Sequence, residues 1–147
     1  MGNEETTAAE YEISSDPGRL DLDWVHEAIS TDTYWGTGRT RERMERAVEN
    51  SIPYGLYGDE GRQLAFARLV TDRTTFAWLS DVFVHRDARG KGLGKRLIEH
   101  VVAEADAMGV KRVLLATADA EELYRQFGFT EIGGDFSWMY KVWPDRV

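Results

Sequence analysis

The sequence predicts a mixed α/β domain. Three observations point there: a long stretch with helical apolar spacing, two apolar runs around a glycine-rich turn, and a strand apolar on both faces. The helical stretch is Gly92 to Met108, where Leu93, Leu97, Val101, Ala105 and Met108 form one stripe, widened by Ile98 and Val102. The two runs, Tyr54 to Tyr57 and Gln63 to Thr71, flank Gly58-Asp59-Glu60-Gly61 and read as a hairpin. The two-faced strand is Thr74 to Val84. Phe76, Trp78, Val82 and Val84 alternate onto one face, Leu79 and Phe83 onto the other, as in a central strand covered on both sides.

The other elements follow in chain order. Residues 1–10 are polar and acidic and read as a flexible tail; residues 11–147 read as a single domain, a usual size for one. Tyr11 to Ser15 fits a first strand, ended by the turn Asp16-Pro17-Gly18. Leu22, Val25 and Ile29 recur at helical spacing, with Asp21 or Asp23 as cap. Thr31 to Thr40 is a loop. Arg41 to Asn50 is a short helix facing Met44, Ala47 and Val48 inward. After the long helix, Gly109 is a stop. Arg112 to Thr117 reads as a second buried strand and Ala120 to Phe127 as a short helix closed by Gly128. Phe129 to Ile132 and Trp138 to Trp143 read as two last strands. Strands and helices interleave, which is the pattern of a layered α/β domain.

Composition narrows the function. The net charge is −8, from 18 basic and 26 acidic residues. That argues against nucleic-acid binding, which depends on neutralising phosphates. No apolar run reaches the roughly 18 residues a membrane span needs. The N-terminus lacks the basic start and apolar middle of a signal peptide. There is no Cys, so thiolate catalysis and cysteine metal sites are out, and a cytoplasmic location is the expectation. His26, His85 and His100 are too scattered for a metal motif, so no metal is expected.

One segment departs from the acidic background. Arg89, Lys91, Lys95 and Arg96 gather around Gly90, Gly92 and Gly94, between the two-faced strand and the long helix. Glycines let backbone approach a ligand closely. Converging N–H groups and a helix N-terminus then favour an anion. This is a phosphate cradle. A P-loop needs four residues between its glycine and Gly-Lys, then Ser or Thr; here Gly90 to Gly94 leaves three, and Lys95 precedes Arg96. A dinucleotide fold needs Gly-x-Gly-x-x-Gly near the first strand; here the spacing is Gly-x-Gly-x-Gly, past mid-chain.

Arg89-Gly90-Lys91-Gly92-Leu93-Gly94 resembles the acyl-CoA signature of the GNAT superfamily of N-acetyltransferases: Gln or Arg, two residues, Gly, any residue, then Gly or Ala. Asp81-Val82-Phe83-Val84-His85 looks like that family's central strand, and Leu123-Tyr124-Arg125-Gln126-Phe127-Gly128-Phe129 resembles its Leu-Tyr-x-x-x-Gly-Phe. The resemblance spans about residues 11–143 and is sharpest over 76–130.

It implies a GNAT-like mixed, mostly antiparallel sheet, splayed at an acyl-CoA cleft and flanked by helices. It implies acetyl-CoA as cosubstrate and direct attack by a primary amine. The backbone of Val82, Phe83 and Val84 would pair with the pantetheine arm, and the Val82 N–H would polarise the thioester carbonyl. Arg89 to Gly94 and Lys95 would hold the pyrophosphate. Thr117 stands where many relatives have an Asn that holds the pantetheine arm. Tyr124 matches the general acid. Asp81 is a candidate base, direct or through water; its alternative is a structural or substrate-binding acid. Tyr34, Trp35, Arg39 and Trp78 are the candidate acceptor-binding residues, aromatics suiting a cation and Arg39 a carboxylate. The acceptor class is a small-molecule or peptide amine, and a homodimer is compatible, dimers being common in that family. The competing reading is a non-catalytic acyl-CoA-binding regulatory domain of the same fold.

Overall fold

The computed structural model describes residues 10–147. The expected flexible tail, residues 1–10, lies outside the described residues apart from Glu10. Among the described residues, five strands form one sheet in the order β1-β2-β3-β4-β5: β1 (Glu12–Ser14), β2 (Ile52–Tyr57), β3 (Gln63–Thr71), β4 (Ala77–Val84) and β5 (Val113–Leu114). The first four pair antiparallel, and β5 runs parallel to β4. The helices are α1 (Leu22–Asp32), α2 (Arg41–Glu49), α3 (Leu93–Met108) and α4 (Glu121–Arg125).

Local chemistry sets most boundaries. The Asp21 carboxylate accepts from Trp24 N at 3.1 Å and starts α1; Thr40 does the same for α2 from Arg43 N at 3.2 Å. Gly109, at φ 84°, closes α3 in the left-handed conformation that favours glycine. Tight turns join β2 to β3 and β3 to β4. In the second, Asp72 Oδ1 accepts from the N–H groups of Thr74, Thr75 and Phe76. Those three donors are therefore taken from the ladder, and β4 begins at Ala77 rather than at Thr74.

The two faces of the sheet carry separate cores. Leu93, Leu97, Ile98, Val101 and Ala105 of α3 pack with Tyr54, Leu56, Ala65, Ala67 and Leu79 on one face. Val25, Ala28 and Ile29 of α1 pack with Met44 and Val48 of α2 against Phe66 and Phe83 on the other. Leu79 and Phe83 thus lie on opposite faces, not on the same one as strict alternation predicts. The cause is a bulge. Ladder partners run from Arg68–Ser80 to Phe66–Phe83, so Asp81 and Val82 together oppose one residue of β3. Asp81 takes a φ of 55°, uncommon for a residue with a side chain.

The C-terminal region departs most from expectation. β5 is two residues long, not the six of Arg112 to Thr117. The expected strands Phe129 to Ile132 and Trp138 to Trp143 do not form, and every residue from 130 to 147 is exposed. A strand needs a ladder partner. The outer edge of β5 and the segment that follows α4 do not meet in a ladder within one copy.

Candidate active site

The bulge and the glycine turn bracket one cleft. Beyond Trp78–Leu114, β4 and β5 share no ladder. Between them opens a cavity of about 770 Å³, lined on one side by Leu79 to Val84 and on the other by Leu115 to Ala120 and Tyr124. The sheet is splayed here because the bulge turns β4 away while the chain after Leu114 turns toward α4. Thr117 Oγ1 accepts from Ala120 N at 3.0 Å and fixes that second turn.

At one end of the cleft lies the basic turn. Gly90 and Gly92 hold φ angles of 81° and 76°. A Cβ built at either meets nothing within 4 Å, so the left-handed backbone, and not crowding, demands glycine there. No side chain caps the N-terminus of α3, which leaves its first N–H groups available to a ligand. A hollow of about 200 Å³ there is lined by Val84, Arg89, Gly90, Gly92, Gly94 and Lys95. Leu93 contributes backbone, its side chain being buried in the core. Lys91 is exposed and does not line the hollow. Arg89 is preset: its Nε donates to Val84 O at 3.1 Å, its guanidinium lies 5.1 Å from the Phe83 ring centre, and it approaches Asp32 at 3.6 Å. Arg86 binds the same Asp32 through two 2.7 Å hydrogen bonds. Those bonds hold the Asp32 carboxyl below its ordinary value.

At the other end Tyr124 lines the cleft and packs its ring 5.8 Å from Phe129. Burial, reinforced by Tyr34 and Asp119, pushes its phenol up to about 12. The group therefore keeps its proton throughout the neutral range. Tyr34 crosses the cleft mouth, its hydroxyl accepting from Ala118 N at 2.9 Å. Trp78 is partly exposed on the cleft wall.

Asp81 is not placed as a base. Its side chain is 0% exposed, and three donors fill it. Trp35 Nε1 reaches Oδ1 at 2.8 Å, while Arg39 Nη1 and Arg68 Nε reach Oδ2 at 2.7 and 2.6 Å. Burial alone would raise the carboxyl, but Arg68 and Arg39 outweigh it and hold it below the usual carboxylate value. A carboxylate so occupied has little affinity for a proton. Arg39 is corrected with it: tied to Asp81, it does not line the cleft and is not turned toward a substrate carboxylate. His85 stacks on Trp24, with ring centres 5.4 Å apart, away from the cleft.

Two residues of this site escape a sequence reading. Arg68 is a charged residue inside the apolar run Leu64 to Val70, and that oddity is its one signal. Asp32 ends α1 and has no signal beyond its charge.

A family model for the acetyltransferase (GNAT) domain matches residues 52–131. A Gibberella zeae protein described as an acetyltransferase is 29% identical over 139 residues, covering 80% of this chain and 77% of that one. A crystal structure from Xanthomonas campestris pv. campestris, described as a GNAT-family acetyltransferase, superposes with a TM-score of 0.86 at 38% identity, covering 92% of this chain and 94% of that one. N-acetylglutamate synthase from Neisseria gonorrhoeae, solved with coenzyme A and N-acetyl-glutamate, shares the fold at 21% identity and a TM-score of 0.66, over 82% of this chain and 28% of that one.

Proposed function

The chain belongs to the GNAT acetyltransferase family and is an acyltransferase, and from that premise we propose that it transfers acetyl from acetyl-CoA to a primary amine by direct attack in a ternary complex. The observation that carries this reading is the splay between β4 and β5, with an open anion cradle at one end and a protonated phenol at the other.

The residues present fit the coenzyme. The turn 89–94 offers backbone N–H groups and two left-handed glycines to a diphosphate, with Arg89 and Lys95 at its rim. On its β5-facing side, where the ladder has ended, the stretch of β4 from Val82 to Val84 offers backbone groups to the pantetheine amides. Thr117 keeps its hydroxyl proton for the same arm, since it accepts rather than donates in the turn before α4. When bound, acetyl-CoA supplies an acyl group activated as a thioester.

The chain's own part is positioning and charge placement. Val82 N–H, freed by the bulge it shares with Asp81, would stabilise negative charge developing on the carbonyl oxygen. Tyr124 donates from its phenol to the departing sulfur. Holding amine and thioester side by side provides much of the acceleration. Tyr34 and Trp78 line the acceptor's approach and suit an amine carried on an apolar or aromatic body. If the acceptor arrives as a neutral amine, no base is needed before attack; the proton its nitrogen then sheds to form the amide goes to solvent, and solvent returns one to the Tyr124 phenolate left by protonating the sulfur. Thiol release with a panel of amines tests the whole reading; coenzyme binding without release above hydrolysis would leave only a binding domain.

The pH profile follows. Tyr124 stays protonated and Asp81 ionised near neutrality, so neither titrates there. kcat/KM is expected to rise with pH along the acceptor's own ionisation, because only the neutral amine attacks. Its midpoint should shift when amines of different basicity are compared. A midpoint fixed across acceptors would assign a base to the protein.

The cradle has its own test. Val at Gly92 strains a left-handed position by about 1–2 kcal/mol. The free turn then relaxes elsewhere, and acetyl-CoA affinity by calorimetry is expected to fall about tenfold or more. Unchanged affinity would move the diphosphate to another place.

A further inference from the structure

One polar side chain on the cleft wall has no partner. Of the β4 residues that line the cavity, Leu79, Val82, Phe83 and Val84 are apolar, and Asp81 is filled by its three donors. Trp78 offers only an indole donor. Ser80 is left, half-buried, its hydroxyl bonded to no protein group among the described residues and not sealed from the cavity. The hydroxyls around it are already spent as acceptors. Thr117 takes the Ala120 N–H, and Tyr34 takes the Ala118 N–H.

Register places Ser80 on the acceptor's side of the cleft. Ser80 pairs with Arg68 and Trp78 with Val70, so the two share one face of β4. On that face Trp35, Arg39 and Arg68 meet Asp81, whereas Val82 and Val84 pack toward α3 on the other. Ser80 also lies two positions from Val82, at most about 7 Å along a strand. A carbonyl oxygen on Val82 N–H, with a nitrogen about 3–3.5 Å from its carbon, brings that nitrogen within reach of Ser80. The surrounding charge suits a neutral nucleophile. Two guanidinium groups share the single Asp81 carboxylate, so the cluster is net positive. Such a wall disfavours an ammonium ion and leaves a free amine unaffected. A free amine has N–H donors to place and a lone pair to aim.

We infer that the Ser80 hydroxyl accepts an N–H of the incoming amine and so turns its lone pair toward the thioester carbon. The role rests on the proposed acetyl transfer. The lone pair forms the C–N bond, the C–S bond breaks, and Tyr124 protonates the sulfur. The nitrogen's surplus proton leaves to solvent, and Ser80 keeps its own. Nitrogen gains positive charge as it attacks, so its bond to Ser80 is stronger in the transition state than before it. The contribution therefore falls on kcat.

The test uses the full chain and an amine found by thiol release. Ser80→Ala is expected to lower kcat about tenfold, the range of one hydrogen bond to a group gaining charge. Acetyl-CoA affinity by calorimetry and the melting temperature should stay close to the parent's. Ser80→Thr keeps a hydroxyl and should recover most of the loss; Ser80→Val, of the same shape, should not. Ser80→Ala at parental kcat overturns the role, and so do Thr and Val variants of equal turnover. A loss that travels with weaker coenzyme binding or a lower melting temperature assigns Ser80 to the wall's structure and also overturns it. Asp119 is the one carboxylate lining the cleft without a cationic partner among the described residues. If Asp119→Asn shows the kcat loss and Ser80→Ala does not, the amine is held from the opposite wall. A parent that releases no thiol with any amine refutes acetyl transfer and this role with it; a working parent with an unaffected Ser80→Ala refutes this role alone.

Discussion

Tyr124→Phe is expected to lower turnover about 100-fold or more, the range of a lost general acid, while acetyl-CoA affinity changes less than about twofold. The ring packs against Phe129 and against the core beneath α4, and Phe preserves that packing. What is lost is one hydroxyl at the cleft. Its high proton affinity, raised by burial to about 12, keeps it a donor at every physiological pH. The donor matters most when sulfur gains charge, so the loss should fall on kcat rather than on binding. Steady-state rates with chemistry shown to limit turnover, beside calorimetric binding, check both halves. Unchanged turnover removes Tyr124 from the reaction.

Asp81→Asn is expected to destabilise the fold by about 3 kcal/mol or more, as removing one partner of a buried ion pair does. For a chain of this size that is a fall in melting temperature of roughly 6–12 °C. The amide leaves Arg39 and Arg68 facing each other without a countercharge, both nearly buried, at 11% and 14% side-chain exposure. It also weakens the anchor of a bulge held at φ 55°, a left-handed position that Asp and Asn adopt more readily than other side chains, so the loss falls on the ion pairs and not on the backbone. The sign with pH is fixed by direction. Asp81 titrates below its unfolded value, so its stabilisation is present above that value and lost as pH falls through the folded one. The difference between parent and variant should therefore be flat from pH 6 to 8 and shrink in acid. Thermal unfolding across that range measures it. A variant that melts like the parent but has lost turnover would return Asp81 to the role of base.

Local signals were readable in the sequence, and long-range ones were not. The stripe from Leu93 to Ala105, the hairpin at Gly58 to Gly61 and the caps at Asp21 and Gly109 all rest on neighbours within a few residues. The glycine turn is readable for the same reason. The bulge is not, because alternation carries no mark where one extra residue enters a strand; it moved Leu79 and Phe83 to opposite faces. The ionic cluster joins residues 35, 39, 68 and 81, which only the fold brings together. The last two strands were expected from apolar spacing alone. Such spacing states what a segment could bury, and not whether a ladder partner lies within its reach.

Anchoring Asp81 from both sides has an engineering consequence. Trp35 and Arg39 belong to the loop beside the cleft, yet both end on the residue that sets the neighbouring Val82. A loop grafted here to retune substrate choice must keep an indole and a guanidinium at those two places, or two of the kink's three clamps go with it. Tyr34 makes no bond to Asp81 itself, but its ring packs edge-on 4.9 Å from the Trp35 indole and its hydroxyl accepts from Ala118 N, so a change there must spare the indole's position.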